Sequence, residues 1–114
     1  MRPKTPKLLE DIRDAAAFIA ELAQGRTLED YKRDRMLRQA VERNFEIIGE
    51  AVSRLTRIDP DNAQRIGSHR QIVDFRNVLI HGYDLIDHRI VWGTSAEKIP
   101  ALLTEVESLL RART

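Results

Sequence analysis

The 114-residue chain has no cysteine. A disulfide framework, a thiolate zinc site and a thiol nucleophile are therefore excluded, and the lack of thiols fits a reducing compartment. No run of eighteen apolar residues occurs, so no membrane span is expected. The opening residues, Met1-Arg2-Pro3-Lys4-Thr5-Pro6-Lys7, lack the apolar stretch of a signal peptide, and a soluble cytoplasmic protein is expected. Charge of one sign is not in excess: nineteen Lys and Arg oppose eighteen Asp and Glu, a net of +1. Nucleic-acid binding cannot be argued from such a balance. Aromatic residues make up only 5%, and Trp92 has no aromatic companion at helical spacing. It reads as a core or interface anchor rather than a base-stacking platform. There is no G-x-x-x-x-G-K-[ST] phosphate loop, so ATP hydrolysis by that route is excluded and no cofactor is expected.

What is present describes one globular domain spanning residues 1–114. Apolar residues account for 42% and charged residues for 32%, ordinary globular usage that rules out wholesale disorder. Folding at this length buries roughly two-thirds of the surface of the unfolded chain. Fifteen of the nineteen cationic residues are Arg, whose planar fork suits bidentate phosphate contacts. Compositional bias explains that count equally well.

The apolar periodicity is helical throughout, with no convincing strand. Leu8, Ile12, Ala15, Ile19 and Leu22 mark a first helix from about Lys7 to Ala23, stopped by Gly25. A second is expected to run unbroken from Thr27, its cap, to Ile58, where Asp59-Pro60 ends it. Leu37, Val41, Asn44, Ile48, Ala51, Leu55 and Ile58 form a coiled-coil-like seam on it, interrupted by the polar Asn44. Such a helix would be about 46 Å long, and a dimer is a natural way to cover it. Asp59 should cap a short turn from Pro60 to Ile66. Ser68 to Gln71 has capping-box spacing and opens a helix with Ile72, Phe75 and Leu79 on one face, ended by Gly82. Asp87 can cap a further segment carrying Val91 and Trp92. A second capping box, Thr94 to Glu97, and Pro100 precede a last helix bearing Leu102, Val106, Leu109 and Leu110. The expected architecture is an all-α, up-and-down bundle of four to five principal helices.

The chemistry concentrates in Arg76-Asn77-Val78-Leu79-Ile80-His81-Gly82-Tyr83-Asp84. On a helix Arg76 and His81 lie about 140° apart, with Cβ atoms roughly 10 Å apart, so they can converge on a group between them but not touch as neighbours. Asn77 sits one turn before His81, where it could orient the ring. The helix C-terminus favours the imidazolium form. Histidine moves protons and arginine neutralises charge building on phosphorus, which together suit phosphodiester cleavage. Spacing alone leaves an ordinary reading open: His81 as a helix-end cap, Arg76 paired with Asp74, Tyr83 at the edge of the core. His81, Asp84, Asp87 and His88 match no metal-ligand spacing, and no metal is assigned to them. The Lys32-Arg33-Asp34-Arg35 and Arg38 cluster reads as a solvated helix face or as an RNA track.

Arg76-x4-His81-x-Tyr83 resembles the R-x4-H-x-Y motif of HepT-like proteins, a branch of the HEPN superfamily of helical ribonucleases. The likeness extends over nearly the whole chain. Asn44-Phe45-Glu46-Ile47-Ile48-Gly49-Glu50-Ala51 is similar to the family's Ile-Gly-Glu-Ala signature, and Ile86-Asp87, Val91-Trp92 and Ile99-Pro100-Ala101-Leu102 resemble its later positions. Where the family often has Pro-Trp opening the motif helix, this chain has Gly67-Ser68-His69.

The resemblance implies a HEPN-like homodimeric ribonuclease acting as the toxin of a toxin–antitoxin pair. Its implied partner is a minimal nucleotidyltransferase antitoxin that transfers AMP to the motif tyrosine. On this implication Arg76 and His81 are catalytic, Tyr83 is the AMP acceptor and Asn77 a possible supporting residue. Cleavage of RNA without a metal is then expected, the 2′-hydroxyl attacking the adjacent phosphorus. The alternative is a non-catalytic helical module that binds nucleotide or substrate and partners a nucleotidyltransferase.

Overall fold

Alanine, leucine and isoleucine at helical spacing bury one face of the first helix, α1 (Thr5–Ala23), with Leu9, Ile12, Ala16 and Ile19 fully enclosed. Its end is marked by Gly25 at φ 72°, a left-handed conformation that favours glycine. Arg26 caps the same terminus, its Nη1 donating to the Leu22 carbonyl at 2.6 Å. The computed structural model describes residues 1–112, apart from the side chain of Tyr83.

The helix expected from Thr27 to Ile58 is broken. It is two elements, α2 (Leu28–Arg33) and α3 (Arg35–Ile58), divided at Asp34. Asp34 adopts an extended backbone and its carboxylate accepts from the Leu37 amide at 3.1 Å. A capping aspartate offers the chain this alternative to continuing the helix. Arg38 reinforces the break by donating to the carbonyls of Tyr31 and Lys32 at the end of α2. Thr27 and Asp30 form the reciprocal capping box that starts α2.

The seam on α3 is real, but it needs no second copy to cover it. Leu37, Val41, Ile48, Ala51 and Leu55 are buried within the protomer, chiefly against α1 and α5. Asn44 donates its amide to the Ala40 carbonyl at 2.8 Å, within its own helix.

Asp59 caps α4 (Pro60–Gln64) as expected, and it does more. Its buried carboxylate accepts from Thr5 Oγ1 at 2.7 Å, from Asn62 Nδ2 at 2.8 Å and from the Arg2 amide, pinning the start of α1 to the α3–α4 corner. Burial opposes its ionisation, but the donors from Asn62, Thr5 and Arg2 prevail and hold the carboxyl at about 2.

Helix α5 (His69–His81) follows without the Ser68 capping box, since the Ser68 side chain makes no cap bond. His69 closes this corner instead, its Nδ1 2.9 Å from the Ile66 carbonyl. A short 3₁₀ turn (Tyr83–Leu85), α6 (His88–Glu97) and α7 (Ile99–Ala112) complete the chain. Asp87 caps α6, accepting from the Arg89 amide at 2.9 Å. The Thr94 capping box does not form because Thr94 lies inside α6, and Pro100 falls in the first turn of α7. Helices α1, α3 and α7 make the central layer, α6 packs on α7, α1 and α2, and α5 lies on α3. Trp92 is half-buried against Tyr31, ring centroids 5.1 Å apart. Among the described residues no helix is long and apolar enough to cross a membrane.

Candidate active site

Helix α5 carries the motif, and its sequence attaches it to one main neighbour. Only Leu79 is fully buried, while Ile72, Val73 and Phe75 pack partly against the core. Phe75 meets Phe45 of α3 edge-on, at 5.1 Å and 82°. The next residue, Arg76, crosses α3 at Gly49, and the Ile72 carbonyl faces the same glycine. A Cβ at position 49 would stand 2.5 Å from Arg76 Cγ and closer still to its Cβ. Glycine is what allows the arginine stem to lie on the α3 backbone.

The Arg76 side chain is 20% exposed, and its guanidinium is held by Glu50, with Nη1 3.4 Å from Oε2. Glu50 Oε1 accepts in turn from Arg54 Nε at 2.9 Å. Arg76 thus pairs with Glu50 of α3, not with Asp74 of its own helix. Arg76 Nε is buried with no hydrogen-bond partner among the described residues. The cation is fixed at its stem and lightly tethered at its head, with donors left over for an anion.

His81 is the last residue of α5 and is exposed. It makes no hydrogen bond or ion pair among the described residues. The helix is unbroken from Arg76 to His81, so the two are separated by about 7.5 Å along its axis and 140° around it. The helix ends there because Gly82 closes the last turn, its amide donating to the Val78 carbonyl at 2.8 Å. Tyr83 therefore opens the 3₁₀ turn instead of extending α5, and its side chain lies outside the described residues. Asn77 is exposed, and no hydrogen bond joins it to His81 among the described residues. Large apolar side chains surround this end of the molecule: Val78, Ile80, Leu85 and Ile90 are all exposed, Leu85 by 78%.

A family model described as ribonuclease HepT-like matches residues 12–109. The chain belongs to this family. Among its relatives, a protein provisionally named an RNase in Caldanaerobacter subterraneus subsp. tengcongensis is 35% identical over 109 residues, 95% of this chain and 96% of that one. A protein named probable ribonuclease HepT in Thermococcus cleftensis is 36% identical over 104 residues, 89% of this chain and 91% of its own length. A further provisionally named RNase, from Methanocaldococcus jannaschii, is 35% identical over 101 residues, 87% and 90% of the two chains. No solved structure matches the chain.

Two features of this HepT-like site escape a reading of motif spacing. Gly49 and Glu50 belong to the Ile-Gly-Glu-Ala signature, but their roles become visible only when α5 is laid on α3. A glycine inside a long helix is unfavourable by about 1 kcal/mol relative to alanine, and that cost signals a close approach. The second feature is a cluster behind the motif turn. Tyr31 is enclosed and edge-on to His88 at 5.9 Å, and neither its hydroxyl nor His88 Nδ1 has a partner among the described residues. Burial pushes the Glu42 carboxyl up, opposed by His88 and Arg38 nearby.

Proposed function

We propose that this chain is the RNA-cleaving toxin of a toxin–antitoxin pair, with Arg76 and His81 as its catalytic residues. The observation that carries the reading is the pairing on one helix of a positioned arginine, held by Glu50 across Gly49, with an exposed histidine that nothing described engages. In the reaction, a neutral His81 takes the proton of a ribose 2′-hydroxyl. The 2′-oxygen bonds to the adjacent phosphorus and the bond from phosphorus to the 5′-oxygen breaks. The products are a 2′,3′-cyclic phosphate and a strand whose 5′-oxygen has taken a proton. Arg76 stabilises the extra negative charge of the five-coordinate phosphorus, and no metal is required. General acid–base catalysis of this kind contributes about a hundred- to ten-thousand-fold.

One histidine cannot be base and acid in the same instant. A homodimer that brings two motif helices together supplies the second, and the exposed Val78, Ile80, Leu85 and Ile90 support an interface at this end. The nucleotidyltransferase antitoxin would silence the site by transferring AMP to Tyr83. The added phosphodiester and its bulk would occupy the space that an RNA phosphate needs beside Arg76. The enzyme works in the cytoplasm, where RNA and ATP are both present.

The test is cleavage of labelled transfer and messenger RNA by the partner-free protein in excess EDTA, beside His81→Ala and Arg76→Ala. Cleavage that both substitutions abolish is expected. A folded, dimeric, unmodified protein that cuts nothing would leave the helical module that binds but does not cleave.

A further inference from the structure

The break at Asp34 creates a surface that the motif does not use. Between Arg26 and Arg38 lie five cations and three carboxylates, and the fold spends the carboxylates locally. Asp30 accepts from the Thr27 amide at 2.9 Å, and Asp34 accepts from the Leu37 amide. Glu29 lies 3.6 Å from Lys32. Two of the arginines are spent as well: Arg26 caps α1 and Arg38 caps α2. Arg33 and Arg35 are left exposed on either side of the break, and neither makes a hydrogen bond or ion pair among the described residues. With Arg26, Asp30, Asp34 and Met36 they line an open hollow of about 610 Å³. Met36 is 82% exposed there, an apolar side chain in the same hollow as the two arginines.

The hollow lies at a definite distance from the proposed chemistry. Helix α5 runs antiparallel to α3, with Ile72 and Arg76 over Gly49 and Phe75 against Phe45. His81, five residues beyond Arg76, is carried about 7.5 Å toward the α3 N-terminus. Arg35 opens α3 fourteen residues before Gly49, about 21 Å along the axis. The two positions are thus about 14 Å apart along α3. Helix α2 also packs on the first turns of α6 through Tyr31, His88 and Trp92, just past the motif turn. A stacked strand rises about 3.4 Å per nucleotide along its axis, so one held at His81 brings a phosphate level with Arg33 and Arg35 about four nucleotides away.

We infer that Arg33 and Arg35 form a second RNA-binding site, taking the backbone phosphates of the substrate strand about four nucleotides from the bond that is cut. This rests on the ribonuclease reading above and adds to it a minimum substrate length. Arginine's fork fits phosphate oxygens, and the exposed Met36 offers the adjoining base an apolar face. Because the chain is nearly neutral overall, such a local site is what makes a strand prefer this path.

The experiment measures binding without cleavage. Single-stranded RNAs of three and twelve nucleotides, end-labelled, are titrated with the full chain carrying His81→Ala, alone and with Arg33→Ala plus Arg35→Ala. Fluorescence anisotropy is read from 50 to 200 mM salt. Losing two phosphate contacts should weaken twelve-nucleotide binding about tenfold and flatten the log–log salt slope by about 1.4. The three-nucleotide RNA should not distinguish the two proteins. Arg33→Lys plus Arg35→Lys should restore the slope, and unchanged far-ultraviolet circular dichroism checks the helices. Equal affinity and slope for the twelve-nucleotide RNA in both proteins would overturn the site while leaving the ribonuclease reading intact. Loss of antitoxin binding with RNA binding unchanged would overturn it in favour of a protein-docking surface. The ribonuclease reading fails separately, if the unsubstituted protein cuts no RNA.

Discussion

Adding one methyl group at Gly49 should disable the site from a position that never touches RNA. In most helices Gly→Ala is stabilising by about 1 kcal/mol, because alanine loses less backbone entropy. Here the new Cβ would lie 2.5 Å from Arg76 Cγ and closer to Arg76 Cβ, where ordinary contact requires 3.4–4 Å. The head of a long side chain can swing away, but the Arg76 Cβ is fixed to the backbone of α5. Relief therefore requires α5 to shift by about 1 Å or more relative to α3. Overpacking of this kind costs about 2 kcal/mol, midway in its usual range, against about 1 kcal/mol gained in propensity, a net loss of about 1 kcal/mol. In a domain of this size the Tm should fall by about 4–8 °C. A displacement of about 1 Å at a reacting group costs roughly a hundredfold in rate, so RNA cleavage should fall by that order. Gly93→Ala is the control: nothing lies within 4 Å of a Cβ there, and it should raise the Tm by about 4 °C. Thermal melts and single-turnover cleavage of both variants provide the test. If Gly49→Ala melts as high as Gly93→Ala and cuts RNA normally, the close approach of α3 and α5 does not position Arg76.

Glu50→Ala should change stability by less than about 0.5 kcal/mol, because its side chain is 44% exposed, yet it should slow cleavage about tenfold by untethering Arg76. Glu50→Asp should recover part of the rate, which a purely structural role would not predict. Asp59, held at about 2 against an ordinary 3.8, contributes stability that is complete above pH 3.8 and fades as the pH falls toward 2. The difference corresponds to about 2 kcal/mol, so acid unfolding should steepen in that window, and Asp59→Asn should lose the stability at neutral pH and flatten the acid limb. Tyr31→Phe should be neutral or stabilising by up to about 1 kcal/mol in urea titrations, since the enclosed hydroxyl has no partner among the described residues. A large loss would show that the hydroxyl is satisfied in solution.

The helical bundle was legible because the burial pattern repeats at 3.6 residues in every long segment. Ile12 to Ile19, Leu37 to Leu55 and Leu102 to Leu109 fall on the faces their spacing predicts, whereas at the start of α1 it is Leu9 that is enclosed and the expected Leu8 is only partly buried. Caps were legible only where one residue decides the outcome. Thr27, Asp59 and Asp87 cap as their chemistry implies, whereas Ser68 and Thr94 have the right neighbours and do not. Asp34 was hidden by its surroundings, because a charged residue within an amphipathic stretch looks like solvated surface until its carboxylate is seen on the Leu37 amide. At the site, the motif marked Arg76 and His81 but not what positions them. The Glu50 pair and the Gly49 crossing join residues 26 and 27 positions apart, and no local pattern encodes such a contact.

These long-range contacts explain why the site sits on the least braced of the long helices. Helix α5 buries one residue fully, while α3 buries eight. An apolar groove of about 430 Å³ separates α5 from α7, floored by Phe45 and Ile48 and walled by Ile72, Phe75, Ile99 and Leu102. The geometry of the proposed site therefore depends on a single helix crossing, fastened by the Phe45–Phe75 pair, the Gly49 contact and the Glu50 tether. A helix with few buried contacts opens locally at lower free energy than its neighbours. Covering the exposed residues around His81 with a second copy would brace α5 from its free side and add a second histidine in the same step. Dimerisation should therefore slow hydrogen exchange in Phe75–His81 far more than in α1 or α3. Equal protection of α5 in monomer and dimer would mean that the second copy docks elsewhere and that the site is complete within one chain.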